Sequence, residues 1–489
     1  MNALARIIEW PAEASDTAGL ALWDAVEIAR ATGGVAVGDF QVSGVEIDSR
    51  DVVPGDLFFA LKGEAMDGHR FVEMAFARGA AAAVVDRPVA GPHILVQDTA
   101  IALGLLAKAA RSRVDATIIG VTGSVGKTGV KEAIFAALDR SSRGKAHRSV
   151  KSYNNHVGVP LSLARMSARS RFGVFEMGMN HAGEIAALAA QVRPNVAVIT
   201  TIAPAHIENL GSEEAIAAAK AEIFGGLEAG GIAVIPADSP HFAQLKVAAE
   251  QRKVAVISFG RAAHANVRLL DAVPAPGGGS LVTADLGARR ICYTVAEPGE
   301  HWITNSLAVI AAVGAAGGDL GAAGLALAEM QGLKGRGQRH VLPAAGGDGL
   351  GRALLIDESY NANPASMRAT LAQLAVTPAR RRIVVLGAMK ELGEHSPAYH
   401  AALIEPLMAS GADYAVLVGD EMRALADELG KAAAQALGKT IRFAHCDNAA
   451  GALRAIREHG VDGGDAILVK GSNSVGLGAV VAALVQQKD

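Results

Sequence analysis

Cysteine is almost missing from this chain: Cys292 and Cys446 are the two present in 489 residues. That excludes a disulfide framework or a structural zinc site built from thiolates, and a reducing interior compartment is the simplest reading. Aromatic side chains are scarce too, at 4%. Alanine and glycine must fill much of the interior, so Ala-rich helices packed on sheets are expected. An excess of one charge is also lacking, with 46 Lys and Arg against 49 Asp and Glu. Nucleic-acid binding leaves a clustered basic footprint, so no nucleic-acid partner is expected. The run Arg380-Arg381-Arg382 reads as a solvated edge ahead of an apolar strand. No long apolar span stands out. The weakly polar stretch Ile303 to Gly318 contains Thr304, Asn305 and Ser306 and reads as a buried helix, not a membrane span. Arg6, Glu9, Glu13 and Asp16 interrupt the first residues, which is no secretory signal. A cytoplasmic protein is expected.

What is present is ample core material. Hydrophobic residues make up 51% of the chain and charged ones 19%, and the length suggests about three domains. In residues 1–115, Gly44 to Arg50 leads into the turn signal Pro54-Gly55-Asp56 and the apolar run Leu57 to Leu61. A helix near Phe71 to Arg78 and a strand at Ala82 to Val85 follow. In residues 116–344, apolar runs at Ala116–Gly120, Val174–Met177, Val196–Thr200 and Ile232–Ile235 alternate with helical patterns, the signature of a parallel sheet covered on both faces. Residues 263–296 read as a small β subregion, and Trp302 to Ala315 as a helix. Residues 345–489 open on a flexible linker at Gly346 to Gly349. Four more apolar strands follow, at Ala353–Asp357, Ile383–Gly387, Tyr414–Gly419 and Ala466–Lys470, and predict a Rossmann-like doubly wound domain. The fold class expected is α/β in three domains: a small N-terminal α/β domain, a central phosphate-loop parallel-sheet domain and a C-terminal Rossmann-like domain.

The chemistry starts at Gly120 to Thr128, GVTGSVGKT. A strand, a Gly-rich loop and a helix from Lys127 make the context in which a phosphate-loop match is meaningful. Gly120, Gly123 and Gly126 would let the backbone bend so that its N–H groups point at phosphates, Ser124 lies in the same ATP-binding loop, and the helix N-terminus adds a favourable dipole. Lys127 would reach the β- and γ-phosphates of ATP and Thr128 would hold Mg²⁺. The strict pattern asks for Gly at 121, where Val121 stands. Glu176 ends one apolar strand and His206 lies beyond the next, so both could reach a metal at the carboxyl edge of the sheet. Lys220 sits in the helical stretch Ile216 to Phe224, and composition alone reads it as a solvated helix lysine.

Taken in order, these segments resemble the Mur ligase family over the whole chain. GVTGSVGKT is similar to its ATP loop. SYNNHVGVPLSL from Ser152, FEMGMNHAGEI from Phe175, AHIENLGS from Ala205, AKAEIF from Ala219 and the pair His301 and Asn305 are similar to its later blocks. DESYNANPASM from Asp357, LGAMKELGEHS from Leu386 and LVKGS from Leu468 resemble the branch that joins D-alanyl-D-alanine to UDP-N-acetylmuramoyl-tripeptide.

The resemblance implies an ATP-dependent amide ligase that works through an acyl phosphate in peptidoglycan synthesis. It implies that Lys220 is carbamylated and becomes a Mg²⁺ ligand beside Glu176 and His206, and that Lys127, Lys220 and His206 serve catalysis. Asn305 and Arg336 match nucleotide contacts. Asp357, Tyr360 and Asn361 match the block that closes on ATP, and Asn154 and Asn155 fall near the peptide substrate. Ser49, Arg50, Asp67 and His69 match segments that hold the UDP end. A monomer is expected, and the third residue of the tripeptide is open between diaminopimelate and lysine. Two blocks depart from the family: Ala388-Met389-Lys390 where Asp-Met-Leu is usual, and Asn473-Ser474-Val475 where Arg and Met are common. The ligase that adds the third peptide residue is the nearest alternative. Its diamino-acid form carries Asp-Asn-Pro-Arg, whereas Asp447-Asn448 is followed here by Ala449-Ala450. A catalytically silent ATP-binding sensor is disfavoured by the intact Lys127, Thr128, Glu176, His206 and Lys220.

Overall fold

The computed structural model describes residues 21–63, 66–205, 207–276, 278–344, 351–434 and 440–486. The chain divides into two compact units, Met1–Asp115 with Pro160–Ser170, and Ala116–Val159 with Arg171–Asp489. Among the described residues no helix is long and apolar enough to cross a membrane.

The first unit is built on a five-stranded sheet in the order Val35–Val37, His93–Leu95, Ala82–Val85, Asp56–Phe59 and Gly44–Glu46. All neighbours are parallel except the first pair. Leu57, Phe58 and Phe59 are all buried, as expected of strands whose two faces are both covered. The helix Thr99–Ser112 starts at Asp98, whose carboxylate accepts from the N–H groups of Ala100 and Ile101. Arg165, from the segment that belongs to this unit, donates to Val45 O and pairs with Glu46.

Among the described residues the second unit holds two sheets. The larger has nine strands, and its parallel part runs Ala146–Arg148, Phe172–Glu176, Thr117–Thr122, Val196–Ile199, Ile232–Pro236, Ala255–Gly260 and Val267–Pro274. Thr117–Thr122 therefore has a later strand on each side. Ligands bind at the carboxyl ends of a doubly wound sheet where the strand order reverses in this way. The expected β subregion is not separate. Val267–Pro274 pairs in parallel with Ala255–Gly260, and Ser280–Asp285 and Arg290–Val295 continue the same sheet antiparallel. Helices Lys127–Ser142 and Glu300–Ala315 pack on one another and contribute Ile134, Ala137, Leu138, Leu307 and Ala311 to a single core. Alanine at the contacts lets these helices approach closely, in keeping with the shortage of aromatics.

The smaller sheet has six strands in the order Gln338–Pro343, Arg352–Glu358, Ala466–Lys470, Arg382–Gly387, Tyr414–Val418 and Arg442–Cys446. The last five are parallel. Two of the six, the antiparallel edge Gln338–Pro343 and the outer strand Arg442–Cys446, extend the four read from sequence. The first of these lies upstream of residue 345, and the expected linker at 346–349 falls outside the described residues. Arg380-Arg381-Arg382 is not simply a solvated edge. Arg381 pairs with Asp462 and Asp465, and Arg382 donates to the carbonyls of Leu374, Ala375 and Thr377 at a helix end. Orphan helix carbonyls and nearby carboxylates draw these cations inward.

Ile134 is fully buried in the shared core of the larger sheet. Ile134→Ala should lower stability by about 2–5 kcal/mol, read as a fall in the Tm of the full chain by calorimetry. An unchanged Tm would contradict the packing described.

Candidate active site

Strand Thr117–Thr122 delivers the chain to a loop of unusual backbone shape. Gly123 has φ +146°, and a Cβ there would lie 1.9 Å from Thr200 Oγ1. Gly126 has φ +86° and opens helix Lys127–Ser142. Only glycine takes such angles without strain. The next strand end pins the loop: Thr200 Oγ1 donates to Val125 O, and Ser124 Oγ donates to Ala203 O at 2.9 Å. Lys127 Nζ folds back onto Gly123 O at 2.7 Å. Burial, helped by Arg336 and opposed by Glu176, pulls the Lys127 ammonium below its ordinary pKa.

Beside the loop lies the carboxylate of Glu176, fully buried at the end of its strand. One oxygen accepts from Thr128 Oγ1 at 2.8 Å and the other from Asn154 Nδ2 at 2.7 Å. Its backbone N–H donates to Ser149 Oγ at 2.8 Å. Lys220, on helix Glu213–Ala221, turns into the same cavity and is 2% exposed. The solvated-lysine reading of that helix is thus overturned, since the lysine projects from the buried side of the helix. Burial first, and Lys127 second, hold its ammonium well below the usual range.

The smaller sheet closes the other wall. The cavity of about 310 Å³ is lined by Ser124 to Lys127, Ser152, Asn154, Glu176, Lys220, His301, Trp302 and Asn305, and by Arg336, Glu358, Tyr360, Asn361 and Lys470. The Arg336 guanidinium stacks 4.3 Å over the Tyr360 ring. Its Nη2 reaches Ser152 Oγ at 3.5 Å. Lys470 Nζ donates to Asn361 O at 3.0 Å and meets Glu358 at 3.4 Å. His301, driven down to about 4 by burial and Lys470, is neutral at pH 7. The site is a polar, strongly cationic cleft at the carboxyl edges of two parallel sheets, suited to a polyphosphate.

The sequence matches the Mur ligase middle domain over residues 121–313, the Mur ligase glutamate ligase domain over 348–473 and the Mur ligase family catalytic domain over 41–113. The UDP-N-acetylmuramoyl-tripeptide–D-alanyl-D-alanine ligase of Synechocystis is 36% identical over 92% of this chain and 93% of its own. The enzyme of that name from Escherichia coli is 36% identical over 80% of this chain and 84% of its own. The chain belongs to the Mur ligase family. A crystal structure of MurF from Acinetobacter baumannii, 29% identical, covers 96% of this Mur ligase and all of its own chain with a TM-score of 0.78. MurF from Thermotoga maritima, solved with ADP, is 25% identical and covers 91% of this chain and 97% of its own with a TM-score of 0.70.

Not every residue expected at the site of this Mur ligase lines the cavity. His206 lies outside the described residues. Asn155 caps the following helix, accepting from the N–H groups of Val157 and Gly158. Asp357 is buried behind the wall, where its oxygens accept from Gly335 N, Ser359 N and Ser359 Oγ. In the first unit, Asp67 pairs with Arg87 and accepts from His69 N and Nδ1, and Arg87 first and His69 second hold its carboxyl well below the usual range. Ser49 is buried against Met74, and Arg50 pairs with Asp48. Conversely, Ser152, Trp302, Glu358 and Lys470 line the cavity without a role assigned from sequence. Lys470 was within reach of sequence reasoning, because it ends an apolar strand as Glu176 does.

Among the described residues no three His, Cys, Asp or Glu side chains gather as a metal cluster. Mg²⁺ needs less, since it usually takes one or two carboxylates together with waters and phosphate oxygens. The Glu176 carboxylate and the Thr128 hydroxyl, hard oxygen donors beside a phosphate loop, fit that demand.

Glu297, near the His301 end of the helix, is buried, and its carboxyl rises from 4.5 to about 7; burial drives the shift, Arg339 opposes it and Glu358 adds to it. A raised folded-state pKa favours the neutral acid, so this contribution to stability is complete below pH 4.5 and is lost as pH climbs through about 7. Glu297→Gln should therefore gain stability over the parent at about pH 8 relative to about pH 5. Parallel Tm-versus-pH curves for the two proteins would refute this.

Proposed function

We propose that this Mur ligase joins D-alanyl-D-alanine to UDP-N-acetylmuramoyl-tripeptide with consumption of ATP. The observation that carries the reading is the buried Glu176 carboxylate, bonded to Thr128 and facing Lys127, Lys220 and Arg336 in one cleft. The names of relatives aligned over most of the chain supply the substrates. A peptide carboxylate is a poor electrophile, so its oxygen first takes the γ-phosphoryl group and ADP leaves. The amine of D-alanyl-D-alanine then attacks the acyl carbon, the C–O bond to phosphate breaks, and the amine loses its proton.

The residues of the cleft serve these steps by charge and position. Lys127 and Arg336 sit where low dielectric strengthens their hold on phosphoryl oxygens. Asn305 packs against the phosphate loop, within 3 Å of where a Gly126 Cβ would stand, and helps to hold the nucleotide. Tyr360 stacks under Arg336, and Asn361 lines the same cleft just beyond the strand Arg352–Glu358. Mg²⁺, held by Glu176, Thr128, His206 and a carbamylated Lys220, would supply further positive charge to the phosphates. A buried amine with a depressed pKa is the form that reacts with CO₂. The carbamate also replaces a cation beside Lys127 with an anion. A closed cleft excludes water, which would otherwise hydrolyse the acyl phosphate.

The same proposal assigns residues 1–115 to the UDP end, through Ser49, Arg50, Asp67 and His69. It assigns 116–344 to ATP and 345–489 to closure over both substrates, with Asn154 and Asn155 toward the peptide. Dependence on ATP and on a nucleotide-linked precursor supports a cytoplasmic enzyme, and we infer a monomer.

Two measurements test this. Phosphate release from ATP with UDP-N-acetylmuramoyl-tripeptide should require D-alanyl-D-alanine; equal release with single D- or L-amino acids would overturn the substrate assignment. Lys220→Ala should lose activity that short carboxylic acids partly restore, and an unaltered rate would sink the carbamate.

A further inference from the structure

Lys131 is fully buried, yet it takes no part in the chemistry described above. It lies on helix Lys127–Ser142, one turn beyond Thr128 and on the same face. Its ammonium donates to Ser149 O at 3.1 Å and to Lys151 O at 2.7 Å, and meets Glu132 at 2.8 Å. Those partners match the three donors of an ammonium, so the buried charge is compensated. Arg148 in turn holds the far oxygen of Glu132 at 2.9 Å.

The two carbonyls belong to the segment that reaches the site. Ser149 accepts the backbone N–H of Glu176 on its hydroxyl. Lys151 has φ +51°, a left-handed conformation that is unfavourable for a residue with a side chain. Ser152 then lies 3.4 Å from Thr128 Oγ1, and Asn154 holds a Glu176 oxygen. We propose that Lys131 is a positioning residue for the metal–nucleotide site: it clamps residues 149–151 to the phosphate-loop helix and so sets Ser152 and Asn154 against Thr128 and Glu176. This rests on the reading of Thr128 and Glu176 as the metal-binding pair.

The test is calorimetric titration of the full chain with ADP, once in excess Mg²⁺ and once in excess EDTA. In Lys131→Met the Mg²⁺-assisted gain in ADP affinity should fall by about tenfold or more, as for other groups that orient metal ligands. ADP binding in EDTA and binding of the UDP precursor should be unchanged. If Lys131→Met does not fold, Lys131→Gln, whose amide can still reach one carbonyl, carries the same test with a smaller loss. A parent chain without Mg²⁺-assisted ADP binding overturns the underlying metal reading. A parent that shows the gain, with a folded variant that keeps it in full, overturns the role of Lys131 alone.

Discussion

The Glu176 carboxylate is the constraint around which the cleft is arranged. A fully buried anion is costly unless hydrogen bonds and opposite charge surround it. Here one oxygen takes Thr128 and the other takes Asn154. Those two bonds fix the first turn of the phosphate helix and the loop after Ala146–Arg148 relative to one strand end. The parallel register places Glu176 beside Val121, two residues before Gly123. Strand pairing thus delivers the acid to the phosphate loop.

Against Glu176 and Glu358 the cleft gathers basic side chains in excess: Lys127, Lys220, Lys470 and Arg336. Burial lowers the pKa of all three lysines, and the cations also repel one another. A polyanionic ligand would offset this repulsion, because a nearby negative charge favours each ammonium.

The sequence was most legible where local rules decide the structure. The Gly-rich turn, the helix starting at Lys127 and the strand ending at Glu176 all follow from spacing and periodicity. It was least legible where a side chain's direction depends on tertiary packing. Lys220 lies in an Ala-rich helix that composition would leave in water, and only the packed fold shows it turned inward. Arg381 and Arg382 read as a charged edge because their acceptors, Asp465 and the carbonyls after Leu374, lie far away in sequence or on backbone atoms. Asp357 belonged to a recognisable block, but which way its carboxylate faces is set by the N–H groups of Gly335 and Ser359. Family resemblance could supply the role of Lys220 but not the supporting contacts of Lys131, which involve backbone carbonyls that no motif encodes.

The smaller sheet shows how register alone can build part of a site. Arg352–Glu358 and Ala466–Lys470 pair in parallel with Glu358 opposite Lys470. Both side chains then emerge at the carboxyl edge on the same side, and the ion pair between them follows. A slip of one residue would send one of the two to the opposite face, leaving Lys470 buried without its carboxylate and Asn361 O without its donor. The apolar residues Leu354 to Ile356 and Ile467 to Val469 oppose such a slip, because most of them are buried in the sheet. Hydrophobic packing of the strand bodies thereby specifies the charged geometry at their ends.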